Sequence, residues 1–216
     1  MTLYNTHSYF SQSGLVKYLL LLLFFCSGCT TIKSVNLEPV KEPYHKIAVM
    51  VINTPQELRD FSQASFDTIV KPIFNNLKDI KVRTYLEQSL NQQLSSPGTT
   101  VVKISDFFKL HENISYADYL DRMKKNDVEA VLILAVSTHF RPVQQVSQYH
   151  TETDDPMVQY SFLYYLVDLN TTQQIWVGVD RADYRIRNVD IEAIGQKLYE
   201  SHYINKPHSL EPIDYY

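Results

Sequence analysis

The residues best suited to bind a metal ion lie in one polar stretch, residues 139–155. His150, Glu152 and Asp154 alternate with threonines, and His139 lies upstream. In an extended chain alternate side chains point to one face, so this set could hold a divalent cation and support metal-dependent hydrolysis. The spacing matches no established metal motif, and the favoured explanation is a solvated acidic loop that prevents edge pairing of the next strand. Both interpretations stay open at this point.

The patterns on which most nucleotide-binding and nucleophilic sites depend are missing from the sequence. Beyond residue 28 the glycines are Gly98, Gly178 and Gly195, far apart from one another. Phosphate-binding loops need clustered glycines, because backbone N–H groups must approach the phosphate oxygens. No serine lies in a Gly-x-Ser-x-Gly turn. A formal net charge of −4 without basic clusters also argues against nucleic acid as a partner. We therefore predict a protein that is not an enzyme.

Both cysteines lie at the end of an apolar segment near the start of the chain. Lys17 precedes an unbroken apolar run, residues 18–25, which is followed by Cys26, two small residues and Cys29. A cation, a short apolar run and a small-residue site are typical of an export signal. The run is shorter than the roughly 20 residues of a membrane-spanning helix. We predict that residues 1–28 form a signal peptide.

The ending Ser27-Gly28-Cys29 resembles the lipobox of bacterial lipoproteins, although Cys26 stands where leucine is usual. The resemblance implies cleavage between Gly28 and Cys29, and a diacylglycerol and an N-acyl chain such as palmitate on Cys29. Thr30 stands where an aspartate would retain an enterobacterial lipoprotein in the inner membrane. The resemblance therefore implies a lipid anchor at the periplasmic face of the outer membrane, with no other cofactor. A cleaved leader without lipid is the alternative.

Patterning beyond the leader predicts one α/β domain over residues 46–204. Residues 29–45 are predicted to be a flexible tether, because Pro39 and Pro43 disfavour helix. Residues 205–216 are predicted to be a loose tail.

Apolar runs and periodicity predict a mixed β-sheet with helices packed on it. Strands buried on both faces are predicted at 46–52, 99–104 and 129–136, with the last at the sheet centre. Helices are predicted at 54–70, at 79–95, from a capping box at Ser115 to Lys125, and at 189–204 after a cap at Asn188. Residues 157–169 and 173–186 are predicted to form an antiparallel hairpin. The early alternation of strands and helices favours a parallel first part of the sheet.

Tyrosines on the first hairpin strand are candidates for a protein contact. Tyr160 and Tyr164 share one face of this strand, and Tyr165 lies on the other. Tyrosine combines apolar area with a polar tip, so an exposed tyrosine face suits a protein interface. Alternatively, helices cover the hairpin on both faces. Trp176 on the partner strand is predicted to be a core anchor.

A set of short blocks supports a resemblance to a known family. The blocks are the strand Lys46–Ile52, Arg83-x-x-Leu86-Glu87-x-x-Leu90-x-x-x-Leu94, Thr100-Val-Val, Asp127–Ile133, Tyr164-x-Leu166-x-Asp168 and Gln173-x-Ile175-Trp176. Residues 46–186 thereby resemble the small α/β domain of bacterial envelope lipoproteins such as LpoB and CsgG, and of the TolB amino-terminal domain.

The resemblance implies a TolB-like or CsgG-like fold and a non-enzymatic accessory, assembly or activator role. It also implies envelope proteins as partners, and neither nucleotide nor nucleic acid. Residues 53–75 form an insertion relative to the family, and a long amphipathic hairpin suited to a pore is missing from the sequence. Two alternatives stay open: a metal-binding or hydrolytic protein that uses residues 139–155, and a solute-binding module with a pocket between sheet and insertion.

Overall fold

Six strands form one mixed sheet in the computed structural model, which describes residues 32–78, 80–141, 157–183 and 189–207. The strands are β1 (Lys33–Asn36), β2 (Lys46–Asn53), β3 (Thr100–Lys103), β4 (Ala130–Arg141), β5 (Met157–Asp168) and β6 (Gln174–Asp183). Their order is β1-β6-β5-β4-β2-β3. β2 pairs in parallel with β3 and β4, and the remaining pairs are antiparallel. This confirms the predicted fold class, with β4 at the centre and β5 and β6 as the hairpin.

The helices in the described part of the chain are α1 (Gln63–Ser65), α2 (Ile80–Leu94), α3 (Tyr116–Lys125) and α4 (Ile191–Glu200), with a π-helix (Phe66–Val70) that continues α1 and a short 3₁₀-helix (Ile104–Asp106) after β3. Ser115 caps α3 as predicted, because its Oγ accepts a hydrogen bond from the amide of Asp118 at 3.1 Å. The cap of α4 is Asp190, whose carboxylate accepts from the amide of Ala193 at 2.9 Å. The prediction of Asn188 as the cap is wrong, because α4 begins two residues later.

The predicted helix over residues 54–70 is replaced by turns as far as residue 62. The Thr54 hydroxyl accepts from the amide of Gln56 at 3.1 Å, and the Asp60 carboxylate accepts from the amide of Ser62 at 3.1 Å. Short polar side chains that bond to nearby amides in this way compete with helix formation. Helical structure therefore begins only at Gln63.

Helices α2 and α4 cover one side of the sheet, which we call the helical face. Leu86, Leu90 and Leu94 of α2 and Ile194 and Leu198 of α4 are buried. They pack with alternate residues of the strands, among them Val49, Leu132, Leu134, Tyr164 and Trp176. The four-residue leucine spacing that predicts α2 thus corresponds to its buried stripe.

The opposite side, which we call the aromatic face, is covered by residues 54–74, Phe108 and α3. Its centre is a group of buried rings around Tyr119. The Tyr119 ring centroid lies 5.0 Å from that of Phe66, 5.4 Å from Phe108 and 5.9 Å from Phe61. These distances suit favourable aromatic packing. The predicted insertion therefore has a structural role, because its residues help to bury the aromatic face of the sheet.

Residues 32–36, which fall within the predicted flexible tether, belong to the sheet. Ile32 is buried, and β1 pairs with β6 from Lys33 opposite Val179 to Asn36 opposite Trp176. Tertiary pairing with β6 supplies the hydrogen bonds that this short polar strand could not obtain alone.

Residues 37–45 are held by hydrogen bonds as well. The amide of Leu37 donates to the carbonyl of Ile175 at 2.8 Å, and the amide of Tyr44 donates to the carbonyl of Tyr203 at 3.0 Å. The Tyr203 hydroxyl donates to the carbonyl of Glu38 at 2.7 Å. The tether prediction is therefore wrong for residues 32–45, since prolines exclude helix without preventing a fixed extended path. Residues 29–31 lie outside the described residues.

The first residues of the predicted loose tail are also fixed. The Asn205 amide donates to Thr99 Oγ1 at 3.0 Å, and Pro207 is buried. The Thr99 hydroxyl donates in turn to the carbonyl of Tyr44 at 2.9 Å. The tail prediction is therefore wrong for residues 205–207, and residues 208–216 lie outside the described part of the chain.

Candidate functional site

Most of the predicted lipid and metal residues lie outside the described residues: Gly28, Cys29, His150, Glu152 and Asp154. His139 lies in β4 opposite Gln159, because the β4–β5 ladder continues to Arg141. Strand β4 thus extends past residue 139, where the sequence predicts the polar stretch to begin. Within the described residues, no group of three or more His, Cys, Asp or Glu side chains could hold a metal ion. The metal site over 139–155 thus stays a prediction.

Two of the three candidate contact tyrosines are buried in the core. Tyr164 is fully buried on the helical face, where burial raises the pKa of its hydroxyl. Tyr165 is 4% exposed on the aromatic face, and its hydroxyl accepts from the amide of Leu58 at 3.2 Å. The contact prediction is therefore wrong for both, because the sheet is covered on both faces here. Tyr160 is half-buried and stays a candidate. Trp176 is fully buried, as predicted for a core anchor.

Within the described residues, an apolar strip on the aromatic face is only partly covered, across β1, β6 and β5. We call it the edge strip; it consists of Val35, Val177, Val179 and Leu163. Val35 is 61% exposed, and the other three are partly exposed. Val35 lies opposite Val177, and Val179 lies opposite Leu163, so the four side chains share one face. The insertion reaches the β6 side of the sheet at Gln174, whose side chain donates to the carbonyl of Leu58 at 2.7 Å, and leaves the edge strip open.

The edge strip ends at the terminal strand of the sheet. β1 has β6 as its neighbour on one side, and no strand of the described residues pairs with its other side. Such a strand presents free backbone N–H and C=O groups to another chain. Leu37, directly after β1, is 50% exposed. Only two residues, Thr30 and Thr31, separate Cys29 from the buried Ile32, a span of at most about 11 Å.

A second feature is a cavity of about 200 Å³ on the helical face, beside the end of β2 and the part of β4 that continues past it. Its apolar wall consists of Val51, Ile73, Val82 and Val136. Its polar wall consists of Asn53, Asn76, Arg83, Thr138 and Tyr160. The carboxyl ends of parallel strands, next to the start of a helix, are a common place for ligand sites in α/β folds.

Two charged side chains of α2 are buried at or next to this cavity. Arg83 is 5% exposed; its Nη1 donates to the carbonyl of Asn76 at 3.0 Å, and its Nε has no hydrogen-bond partner among the described residues. Glu87, one turn later, is fully buried. Burial raises the pKa of Glu87 to about 7, against the opposing effects of Ser105, Arg83 and the Val51 backbone. These opposing contacts are looser than regular hydrogen bonds, since neither carboxylate oxygen has a partner of standard geometry in the described chain.

The sequence contains a signal for the buried pair Arg83 and Glu87, but the apolar pattern of α2 does not single it out. Arg83 and Glu87 each lie beside the apolar stripe of α2, four residues apart, in a helix whose other charged residue, Lys81, is exposed. The apolar pattern assigns them no role. Only the three-dimensional structure, in which α2 packs on the sheet, shows that both charges are buried.

No helix of the described residues is both long enough and apolar enough to cross a membrane.

Comparison with known proteins gave structural matches only. No protein-family model matches the chain, and no curated protein matches it. A PelC dodecamer structure from Paraburkholderia phytofirmans matches with 12% identity and a TM-score of 0.41, over 81% of this chain and 97% of that chain. TolB from Acinetobacter baumannii matches with 11% identity and a TM-score of 0.34, over 79% and 30%. The LpoB C-terminal domain from Salmonella enterica matches with 10% identity and a TM-score of 0.32, over 65% and 84%.

These matches confirm a weak resemblance of this chain to the folds of LpoB and TolB, as the sequence blocks predict. At such identities the likeness concerns the fold alone.

Proposed function

We propose that the protein is a lipid-anchored accessory protein of the bacterial envelope, without enzymatic activity. In this proposal Cys29 carries a diacylglycerol and an N-acyl chain and holds the domain at the periplasmic face of the outer membrane. There the domain docks onto, or activates, a larger envelope assembly.

The observation that carries the proposal is the exposed apolar row on β1 and β6, which begins a few residues after Cys29 in the sequence. With at most about 11 Å of chain between Cys29 and Ile32, an acylated Cys29 keeps β1 close to the membrane surface. Val35, two residues into β1, is 61% exposed. Contiguous exposed apolar residues on an open strand suit a protein interface. The anchor and the docking surface are therefore adjacent in this proposal.

The edge strip and the free side of β1 together suit an extended segment of an envelope protein. Such a segment would add to the sheet as a seventh strand through main-chain hydrogen bonds. Its alternate side chains would continue the apolar row that Val35 begins. The cavity beside Arg83 favours one further role, the binding of a small solute.

Fractionation of cells tests the anchor. Replacement of Cys29 by serine (Cys29→Ser) removes the sulfur that carries lipid, so we expect the protein to leave the membrane fraction with the domain still folded. Stable membrane attachment needs more than one acyl chain, and loss of all chains should be conspicuous. Ser13→Ala is the control, since it changes a leader residue outside the lipobox and should leave attachment intact. Membrane sedimentation of Cys29→Ser equal to that of the wild type would contradict the anchor.

Site-specific photo-crosslinking in cells tests the docking surface. A crosslinker at Val35 should capture one defined envelope protein, and a crosslinker at the exposed Glu192 of α4 should not. The Val35→Asp substitution, combined with a crosslinker at Leu37, should abolish the same product. Equal capture from Val35 and Glu192, or capture unaffected by Val35→Asp, would place the interface elsewhere.

A further inference from the structure

The cavity on the helical face contains a guanidinium group whose hydrogen-bonding capacity is incompletely used. Arg83 is 5% exposed and makes one hydrogen bond at Nη1, while its Nε has no partner within the described residues. Arginine stays charged in proteins, and a buried donor without a partner destabilises the fold. A ligand in the cavity, which Arg83 lines, would add hydrogen bonds to this group.

The charge of this cavity favours an anion. In the part of the chain that the structure describes, Arg83 is the only charged side chain of the cavity wall. The carboxylate of Glu87, the nearest on the same helix, has its pKa raised to about 7, so it neutralises Arg83 only in part near neutral pH. The first turn of α2, to which Val82 and Arg83 belong, also carries the positive end of the helix dipole.

The size and the apolar wall of the cavity define the class of anion. A volume of about 200 Å³ equals roughly seven water molecules at about 30 Å³ each, so the ligand must be small. Val51 and Val136 of the sheet and Val82 of α2 line the cavity, which suits a short apolar body. A phosphate dianion would need several cations or clustered amides, whereas a carboxylate matches one guanidinium fork through two parallel hydrogen bonds.

We propose that this cavity binds a small monocarboxylate with a short apolar body, held by Arg83 at its carboxylate and by the valines at its body. The side chains of Asn53 and Thr138 also line the cavity and add polar surface to it. Either a free short-chain acid or the carboxyl terminus of a peptide has this chemistry. The inference is independent of lipid attachment at Cys29.

Calorimetric titration of the full chain, extracted in detergent, tests the proposal. The probes are isobutyrate as a free acid, N-acetyl-L-alanine as a mimic of a peptide carboxyl terminus, N-acetyl-L-alanine amide as its uncharged match, and inorganic phosphate. We expect binding of one or both acids and no binding of the amide or of phosphate. The acid that binds more tightly shows whether the natural ligand is a free short-chain acid or the carboxyl terminus of a peptide. No binding of either acid, or equal binding of acid and amide, would overturn the proposal.

Variants of the first turns of α2 test the role of Arg83. Arg83→Gln should weaken carboxylate binding by about tenfold or more, the usual effect of losing a charged hydrogen-bond partner. Lys81→Gln is the matched control, because Lys81 is exposed on the same turn and the change in net charge is identical. If both variants lost affinity equally, binding would depend on net charge alone, and the proposed role of Arg83 would be overturned.

Two further variants keep the proposal testable if Arg83→Gln does not fold. Val82→Phe fills the cavity while Arg83 stays in place, so we expect binding to disappear in a folded protein. Glu87→Gln removes the carboxylate that partly neutralises Arg83, so affinity for the acid should rise severalfold at neutral pH. Retained binding in Val82→Phe, or weaker binding in Glu87→Gln, would contradict the assigned geometry.

Discussion

The two faces of the sheet are covered in different ways. On the helical face, α2 and α4 lie over the strands with regular leucine and isoleucine stripes. On the aromatic face, an irregular segment and the short α3 cover β2 and β4 with a group of aromatic rings, and β1, β6 and part of β5 remain open. Nearly complete cover by helices and partial cover by an insertion therefore coexist on one sheet.

This contrast explains where each kind of binding feature arises. Regular helices bury nearly all of the helical face, and a cavity remains only where α2 begins above the strand ends. The insertion ends short of the sheet edge, and the edge strip is the result. The cavity and the edge strip thus each lie where the segments that cover that face of the sheet end.

The substitution that should destabilise the protein most lies on the aromatic face. Phe66 is fully buried, so Phe66→Ala should lower the free energy of unfolding by about 3–5 kcal/mol through lost burial and a cavity. Phe107→Ala is the matched control, because Phe107 is only partly buried, and it should cost clearly less. Urea denaturation measures both. Equal costs would mean that the aromatic rings do not form a packed core, and the contrast between the faces would fail.

The second effect concerns Glu87 on the helical face. Its pKa, raised from 4.5 to about 7, means that the folded state binds more protons than the unfolded state between these values. Stability should therefore fall as the pH rises from 4.5 through about 7, by about 3 kcal/mol at most. Glu87→Gln should remove this dependence, and Glu192→Gln, at an exposed position of α4, should retain it. Denaturation across this pH range measures the free energy of unfolding of each variant. If its slope against pH were unchanged in Glu87→Gln, the burial of a titrating carboxyl would be contradicted.

The third effect concerns close packing on β6. A Cβ atom on Gly178 would lie 2.6 Å from Cη2 of Trp176, so Gly178→Ala should cost about 1–3 kcal/mol by overpacking. In a Trp176→Phe background the smaller ring leaves room, and the added cost of Gly178→Ala should shrink. A double-mutant cycle by chemical denaturation measures this coupling. A coupling near zero would show that the indole does not cover Gly178.

The mildest substitutions compare helix caps on the two faces. Ser115→Ala at α3 and Asp190→Ala at α4 should each lower stability by about 1 kcal/mol, because each removes the acceptor of a first-turn amide. Asp190→Asn is the conservative replacement, which should retain most of the cap. Thermal unfolding measures the series, and a cost of Asp190→Ala no greater than that of Asp190→Asn would argue against Asp190 as the cap.

The regular parts of the fold could be predicted from the sequence, because local patterns determine them. The apolar run of β4 and the four-residue spacing of Leu86, Leu90 and Leu94 identify their elements without tertiary information. The capping box at Ser115 likewise marks the start of α3. Such patterns predict which segments are strands and which are helices, their order in the chain, and the β5–β6 hairpin.

The features that depend on distant parts of the chain could not be predicted. β1 has a polar sequence, Lys-Ser-Val-Asn, and is a strand only because β6 supplies its hydrogen bonds. The burial of Tyr164 and Tyr165 depends on what covers each face, which a strand pattern does not reveal. The cavity beside Arg83 exists where β2, β4, β5, α2 and the segment before α2 meet, so no local motif marks it.

The intact mass of the protein extracted from bacterial membranes is the decisive measurement for the proposed anchor. We expect a chain that begins at Cys29, with a mass increased by a diacylglycerol and an N-acyl chain. A chain that retains Met1, or one that begins at Cys29 with an unmodified thiol, would contradict the proposal, because the edge strip would then not be held at a membrane.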